Sequence, residues 1–114
     1  MKVLVTGATG FIGSNLVRML WQDGYQVRAL IRPGSNTKAI DDAEIELVQG
    51  DILDRKSVIR AVDGCQALFH CAAAYTFWSP HPEMVYRTNV LGTTIVLDAA
   101  RDAGVPKIVY TSTV

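Results

Sequence analysis

A doubly wound, parallel α/β sheet is the fold class this sequence predicts, and three observations predict it. Short β-rich runs recur five times, helical patterns separate them, and the runs are nearly continuous in apolar residues instead of alternating. Strands buried on both faces read that way, and parallel neighbours need the long return path that a helix supplies. With 114 residues, 49% of them hydrophobic, the chain can bury a core of its own, so residues 1–114 are expected to form one domain. No internal repeat, low-complexity segment or linker divides it.

In chain order, Lys2 to Thr6 reads as the first strand and Ile12 to Gln22 as the helix after it. Gln26 to Ile31 is the second strand. The connection Pro33 to Ala43 is polar and rich in Gly, Ser and Asn, with room for a single helical turn. Ile45 to Gln49, the helix Arg55 to Ala61 and the strand Ala67 to His70 follow. A long helix is expected from about Pro82 to Ala103, because Val85, Asn89, Gly92, Val96, Ala99 and Ala103 step by four and three along one inward stripe. Lys107 to Thr111 is the fifth strand.

Composition removes several function classes. Lys plus Arg and Asp plus Glu both number 11, and no basic block is present to collect nucleic-acid phosphates or an anionic membrane, so neither partner is expected. The opening MKVLVTG is too short for a signal-peptide core, and no later apolar run approaches membrane-spanning length; a soluble cytoplasmic protein is the expectation. Cys65 and Cys71 lie six apart with no second pair and no His-x-x-His, which indicates neither a metal site nor a disulfide framework.

Directly after the first strand stands TGATGFIG, with Gly7, Gly10 and Gly13 spaced G-x-x-G-x-x-G at the start of a helical pattern. Each glycine has a distinct job in a dinucleotide-binding turn. Gly7 adopts the backbone angles of a tight turn, Gly10 lets a diphosphate reach the main chain, and Gly13 lets the helix pack close to the strand. Free N–H groups at the helix start then meet the anion. A glycine turn before a helix is also ordinary punctuation, but no Gly-Lys-Ser/Thr follows, which disfavours a triphosphate loop.

The chain resembles the N-terminal part of the extended short-chain dehydrogenase/reductase family, in the branch of dihydroflavonol-reductase-like proteins and sugar epimerases associated with hopanoid synthesis. Six motifs carry the resemblance in order: VTGATGFIG at Val5 to Gly13, VRALIRPGS at Val27 to Ser35, GDILD at Gly50 to Asp54, ALFHCAA at Ala67 to Ala73, YRTNVLGT at Tyr86 to Thr93 and VYTST at Val109 to Thr113. It implies a Rossmann-type sheet of strand order 3-2-1-4-5, incomplete relative to the full family fold. It also implies an NAD(P)-dependent oxidoreductase or epimerase acting on a small-molecule substrate, with Thr9, Phe11 and Ile12 joining the three glycines around the cofactor.

NADP is expected in preference to NAD. An NAD site commonly ends its second strand with Asp or Glu, whereas this sequence has Ile31 and then Arg32, whose forked donors suit a 2′-phosphate. Ser35, Asn36 or Lys38 would assist. A solvated arginine at a strand end is the plain alternative. The resemblance gives Asp51 the adenine amino group and Ile52 a face against the ring; Asp51 could instead cap the helix near Arg55, a task for which Asp54 is better placed. It further places Cys71, Ala72 and Ala73 beside the nicotinamide ribose, though packing alone would also explain the alanines. His70 reads as a buried, hydrogen-bonded core residue, and Asn89 as tying its helix to neighbouring strands near the site. The aromatic loop Tyr75 to His81 suits substrate contact, a lid or a subunit contact equally.

Catalysis in the family depends on a Tyr-x-x-x-Lys pair and a Ser/Thr hydroxyl. Tyr25, Tyr75, Tyr86 and Tyr110 are followed four positions later by Ala29, Ser79, Val90 and Val114, so the pair is absent. The resemblance puts Thr113 at the hydroxyl position and Ser112 beside the nicotinamide. Three readings compete: the N-terminal part of an NADP-dependent enzyme, which is favoured; a non-catalytic module that senses NADP; and a half-sheet completed by self-association through its exposed edge.

Overall fold

A computed structural model describes residues 1–71 and 82–110. Strand β1 (Lys2–Thr6) leads into helix α1 (Phe11–Gln22), β2 (Gln26–Ile31), a 3₁₀ turn (Lys38–Ile40) and β3 (Glu46–Gln49). Then come α2 (Arg55–Val62), β4 (Ala67–His70), α3 (Pro82–Arg87), a π-helical turn (Thr88–Gly92), α4 (Thr93–Asp102) and β5 (Lys107–Tyr110). All strand pairings are parallel, as the sequence predicts, and the order is β3-β2-β1-β4-β5, as the family resemblance implies. The order reverses between β1 and β4, so the crevice beyond their carboxyl ends is where such a sheet takes a ligand.

Successive residues of β1 serve opposite faces. Leu4 joins Leu68, Val58 and Val96 in a core beneath α2 and α4, whereas Val3 and Val5 join Val17, Val27 and Ala29 beneath α1. In register, Thr6 stands beside Leu30 on one side and His70 on the other, which brings three strand ends level at the crevice.

Two expectations change. Strand β3 begins at Glu46, not Ile45, because its ladder with β2 starts at the Arg28–Glu46 pair. The long helix is not regular throughout: a π-helical turn interrupts it. After that turn Val96 and Ala99 are buried as expected, Ile95 and Ala100 join them, and Ala103, expected inside, is the exposed C-cap of α4. A close approach accompanies this turn, since a Cβ on Gly92 would stand 2.5 Å from Ile52 Cδ1. Thr111, expected to end β5, lies outside the described residues, as do Ala72, Ala73, Ser112, Thr113 and the loop Tyr75 to His81. Among the described residues no helix is long and apolar enough to cross a membrane, and no group of acids, His and Cys is arranged to hold a metal.

Candidate functional site

The glycine turn fills the gap between β1 and α1. Gly7 has φ +69°, a conformation that favours glycine, and its carbonyl accepts the Gly10 N–H at 3.1 Å. A Cβ on Gly13 would lie 1.9 Å from Gly7 O, so α1 sits against the turn only because residue 13 has no side chain. Gly10 differs from both. Its φ of −78° suits any residue, and a Cβ there would meet only Gly7 O, at 3.4 Å, an ordinary contact. The fold itself requires two of the glycines, Gly7 and Gly13, but not Gly10.

The first turn of α1 is open at its amino end. Gly10 is its N-cap and no side chain caps it. Ser14 Oγ and Asn15 Nδ2 both donate to Phe11 O, at 3.2 and 2.8 Å, so they serve a carbonyl and leave the leading N–H groups uncovered. Phe11 and Ile12 are 86% and 61% exposed, an apolar lip beside those N–H groups, while Thr9 is half-buried.

On the β2 side, Arg32 is exposed one residue past the strand. Ser35 N–H donates to Arg32 O at 3.1 Å across a turn in which Gly34 has φ +80°. The Arg32 guanidinium has no ion-pair partner among the described residues. Exposed Lys38 opens the 3₁₀ turn, its N–H donating to Asn36 Oδ1 at 3.0 Å. Arg18 pins this connection by donating to Ala39 O and pairing with Asp42 at 3.1 Å, and Ile40 is buried beneath it.

Half-buried Asp51 accepts the Leu53 N–H on Oδ1 at 2.9 Å, while its other carboxylate oxygen has no partner among the described residues. Asp54 stands at the N-cap of α2 but makes no side-chain capping bond, contrary to expectation; the Ser57 hydroxyl is buried between the Asp51 and Asp54 carbonyls instead. Ile52, only 7% exposed, packs in the core with its Cδ1 close to Gly92.

At the end of β4, half-buried Cys71 donates its N–H to both Thr6 O and Thr6 Oγ1, each at 3.1 Å. His70, 1% exposed, has Nδ1 paired with Thr6 Oγ1 at 2.7 Å and Nε2 with Thr93 Oγ1 at 3.1 Å, and Tyr110 stacks on its ring at 5.5 Å. Burial lowers its pKa to about 4, so the ring is neutral at physiological pH. The core reading of His70 therefore stands. Asn89 lies in the π-helical turn, and among the described residues its buried Oδ1 has no hydrogen-bond partner, where a buried amide normally finds a donor.

Sequence reasoning missed Arg28. Inside β2 it sends its guanidinium to Ala61 O at 2.7 Å, Asp63 O at 2.8 Å and Glu46 at 3.1 Å, binding the end of α2 to the far edge of the sheet. The signal was there, one cation inside an apolar strand. Neighbouring Cys65 is a buried free thiol whose pKa burial pushes up. Thr6 and Thr93 were missed as well, since nothing local marks a threonine as a partner for a histidine many residues away.

Comparisons with known proteins agree with this geometry. The profile of the NAD dependent epimerase/dehydratase family matches residues 3–114. A dihydroflavonol 4-reductase-like protein of Synechocystis is 48% identical over 110 residues, covering 96% of this chain and 32% of the relative. Sterol demethylase protein B of Methylococcus capsulatus is 42% identical over 112 residues, covering 98% and 34%. The crystal structure of a UDP-glucose-4-epimerase from Stenotrophomonas maltophila, with bound NAD and formylated UDP-arabinopyranose, superimposes with a TM-score of 0.89 at 29% identity, over 99% of this chain and 37% of that one. The chain thus spans about a third of the length of the curated relatives it matches. By its motifs, its strand order and the match along nearly its whole length, the chain belongs to the NAD-dependent epimerase/dehydratase family of extended short-chain dehydrogenases/reductases.

Proposed function

We propose that this chain is the NADP(H)-binding portion of a cytoplasmic carbonyl/hydroxyl oxidoreductase or nucleotide-sugar epimerase. The observation that carries the reading is Gly10. It is a glycine the fold does not require, set at an uncapped helix start beside a chain reversal of the sheet. Gly7, Thr9, Gly10 and the N–H groups of Phe11, Ile12 and Gly13 would hold the diphosphate. Asp51, with one oxygen open, would take the adenine amino group, and the open Oδ1 of Asn89 supports a hydroxyl donor arriving from the ligand. Arg32 and Lys38 would take a 2′-phosphate, which favours NADP; among the described residues no carboxylate pairs with Arg32. Cys71, Ala72, Ala73 and Ser112 would border the nicotinamide, and Thr113 would hold the substrate oxygen. When bound, the nicotinamide supplies the hydride acceptor or donor.

These 114 residues hold no Tyr-x-x-x-Lys pair, so binding without turnover is expected of the chain by itself. Fluorescence titration with NADPH and NADH tests the reading. NADPH should bind the tighter, and Arg32→Asp should weaken it by about tenfold or more while changing NADH far less. Equal losses for the two would remove Arg32 from the specificity, absence of binding would overturn the assignment, and NADPH oxidation by the chain with any carbonyl or sugar nucleotide would refute its inactivity.

A further inference from the structure

We propose that the Thr6–His70–Thr93 hydrogen-bond chain is a positioning relay that makes three ligand-facing segments move as one. It rests on the cofactor reading above for its purpose and on its own geometry for its existence. Thr6 is the last residue of β1 and the immediate neighbour of Gly7, so its hydroxyl sits at the root of the glycine turn. The same oxygen accepts the Cys71 N–H at 3.1 Å and pairs with His70 Nδ1 at 2.7 Å, which fixes the end of β4. On the far side of the ring, Nε2 pairs at 3.1 Å with Thr93 Oγ1, on the first residue of α4 after the π-helical turn that carries Asn89. One imidazole therefore joins the glycine turn, the end of β4 and the Asn89 turn.

A neutral imidazole has one N–H and one lone pair. Of the two threonine hydroxyls, one must accept from the ring and the other must donate to it, so the polarity of either bond dictates that of the other. Burial of the ring, with the Tyr110 ring stacked against it, favours such a fixed arrangement over exchange with water. His70 and Thr93 are thus positioning residues. They touch no reacting atom, and they set where Asn89 Oδ1 and the Cys71 N–H stand relative to Gly10.

Amide hydrogen exchange on the ligand-free chain tests this, with Thr93→Val removing the hydroxyl and Thr93→Ser restoring it. Thr93→Val should speed exchange at the Cys71 amide, a residue it does not adjoin in sequence, by about fivefold, and Thr93→Ser should return it to the wild-type rate. Faster exchange confined to amides around position 93, with Cys71 as protected as in the wild type, would overturn the relay. Should Thr93→Val fail to fold, imidazole ¹⁵N spectra of the wild-type chain decide. A single fixed neutral tautomer at pH 7 is expected, and two averaged tautomers would overturn the proposal. Titrating the same variants with NADPH should show about threefold weaker binding for Thr93→Val and recovery for Thr93→Ser. A wild-type chain that binds no dinucleotide would defeat the cofactor reading, while the ligand-free exchange would still decide the relay.

Discussion

Arg28 and Arg32 belong to the same run of sequence, one inside β2 and one just past its end, yet they live under opposite rules. The guanidinium of Arg28 is 9% exposed and shared among two carbonyls and Glu46. That of Arg32 is exposed and has no ion-pair partner among the described residues. The same contrast extends across the sheet. At the amino ends of the strands polar groups are paired within the chain, with Lys2 N–H donating to Gln66 and Lys2 Nζ near Glu46. At the carboxyl ends, among the described residues, the start of α1 lacks a side-chain cap, and one carboxylate oxygen of Asp51 and Oδ1 of Asn89 have no hydrogen-bond partner. Unpaired polar groups cost stability when buried, so in this respect the amino end is the closed end of the sheet and the carboxyl end the open one.

The largest expected effect separates the glycines at the open end. Gly13→Ala would drive a Cβ to 1.9 Å from Gly7 O, a backbone atom held by the turn, and should destabilise the chain by about 3 kcal/mol while abolishing dinucleotide binding. Gly10→Ala meets only an ordinary contact at an unstrained φ, so its melting temperature should stay near wild type or rise, while affinity falls about tenfold. Chemical denaturation and titration of the two variants side by side would break the comparison if both lost stability, or if Gly10→Ala bound normally.

At the closed end, Arg28→Met should cost about 2 kcal/mol, chiefly because the buried Ala61 carbonyl loses its donor, and should leave dinucleotide affinity unchanged. Glu46 contributes little to that loss, since its half-exposed carboxylate can return to water. Urea midpoints for Arg28→Met and Arg32→Asp would sharpen the contrast: the first should shift stability alone and the second binding alone.

How much of this was legible in the sequence follows from which interactions are local. The positions of the strands, the glycine turn and the burial of His70 could be read from runs, spacings and motifs, because each is a property of a few neighbouring residues, whereas the strand order came only with the family resemblance that those motifs carry. The fate of Arg28 could not, since its carbonyl partners at Ala61 and Asp63 become neighbours only when α2 ends beside β2. Nor could the break in the long helix. Periodicity alone continues the stripe through Asn89 and Gly92 to Ala103, and it takes the contact between Gly92 and Ile52 to show where an extra residue is accommodated. The open groups at Asn89 and Asp51 are similarly invisible until every internal partner has been placed.

His70 stands between the two regimes, buried like the closed end but linked to segments of the open one, and its titration gives the smallest expected effect. Its folded pKa of about 4 lies below the ordinary 6.5 because burial disfavours the charged ring. As pH falls below 6.5 the unfolded chain takes up a proton that the folded chain refuses, so stability present at neutral pH is lost progressively down to about pH 4. The loss should reach about 1 kcal/mol near pH 5.5, above the range where most carboxylates titrate. Denaturation midpoints at successive pH values read it directly, and a flat profile between pH 7 and about 5.5 would mean that the ring accepts its proton without leaving the fold. Because protonation would give both ring nitrogens an N–H, a folded imidazolium would donate to both threonine hydroxyls, and one of the two bonds to the ring would reverse its direction.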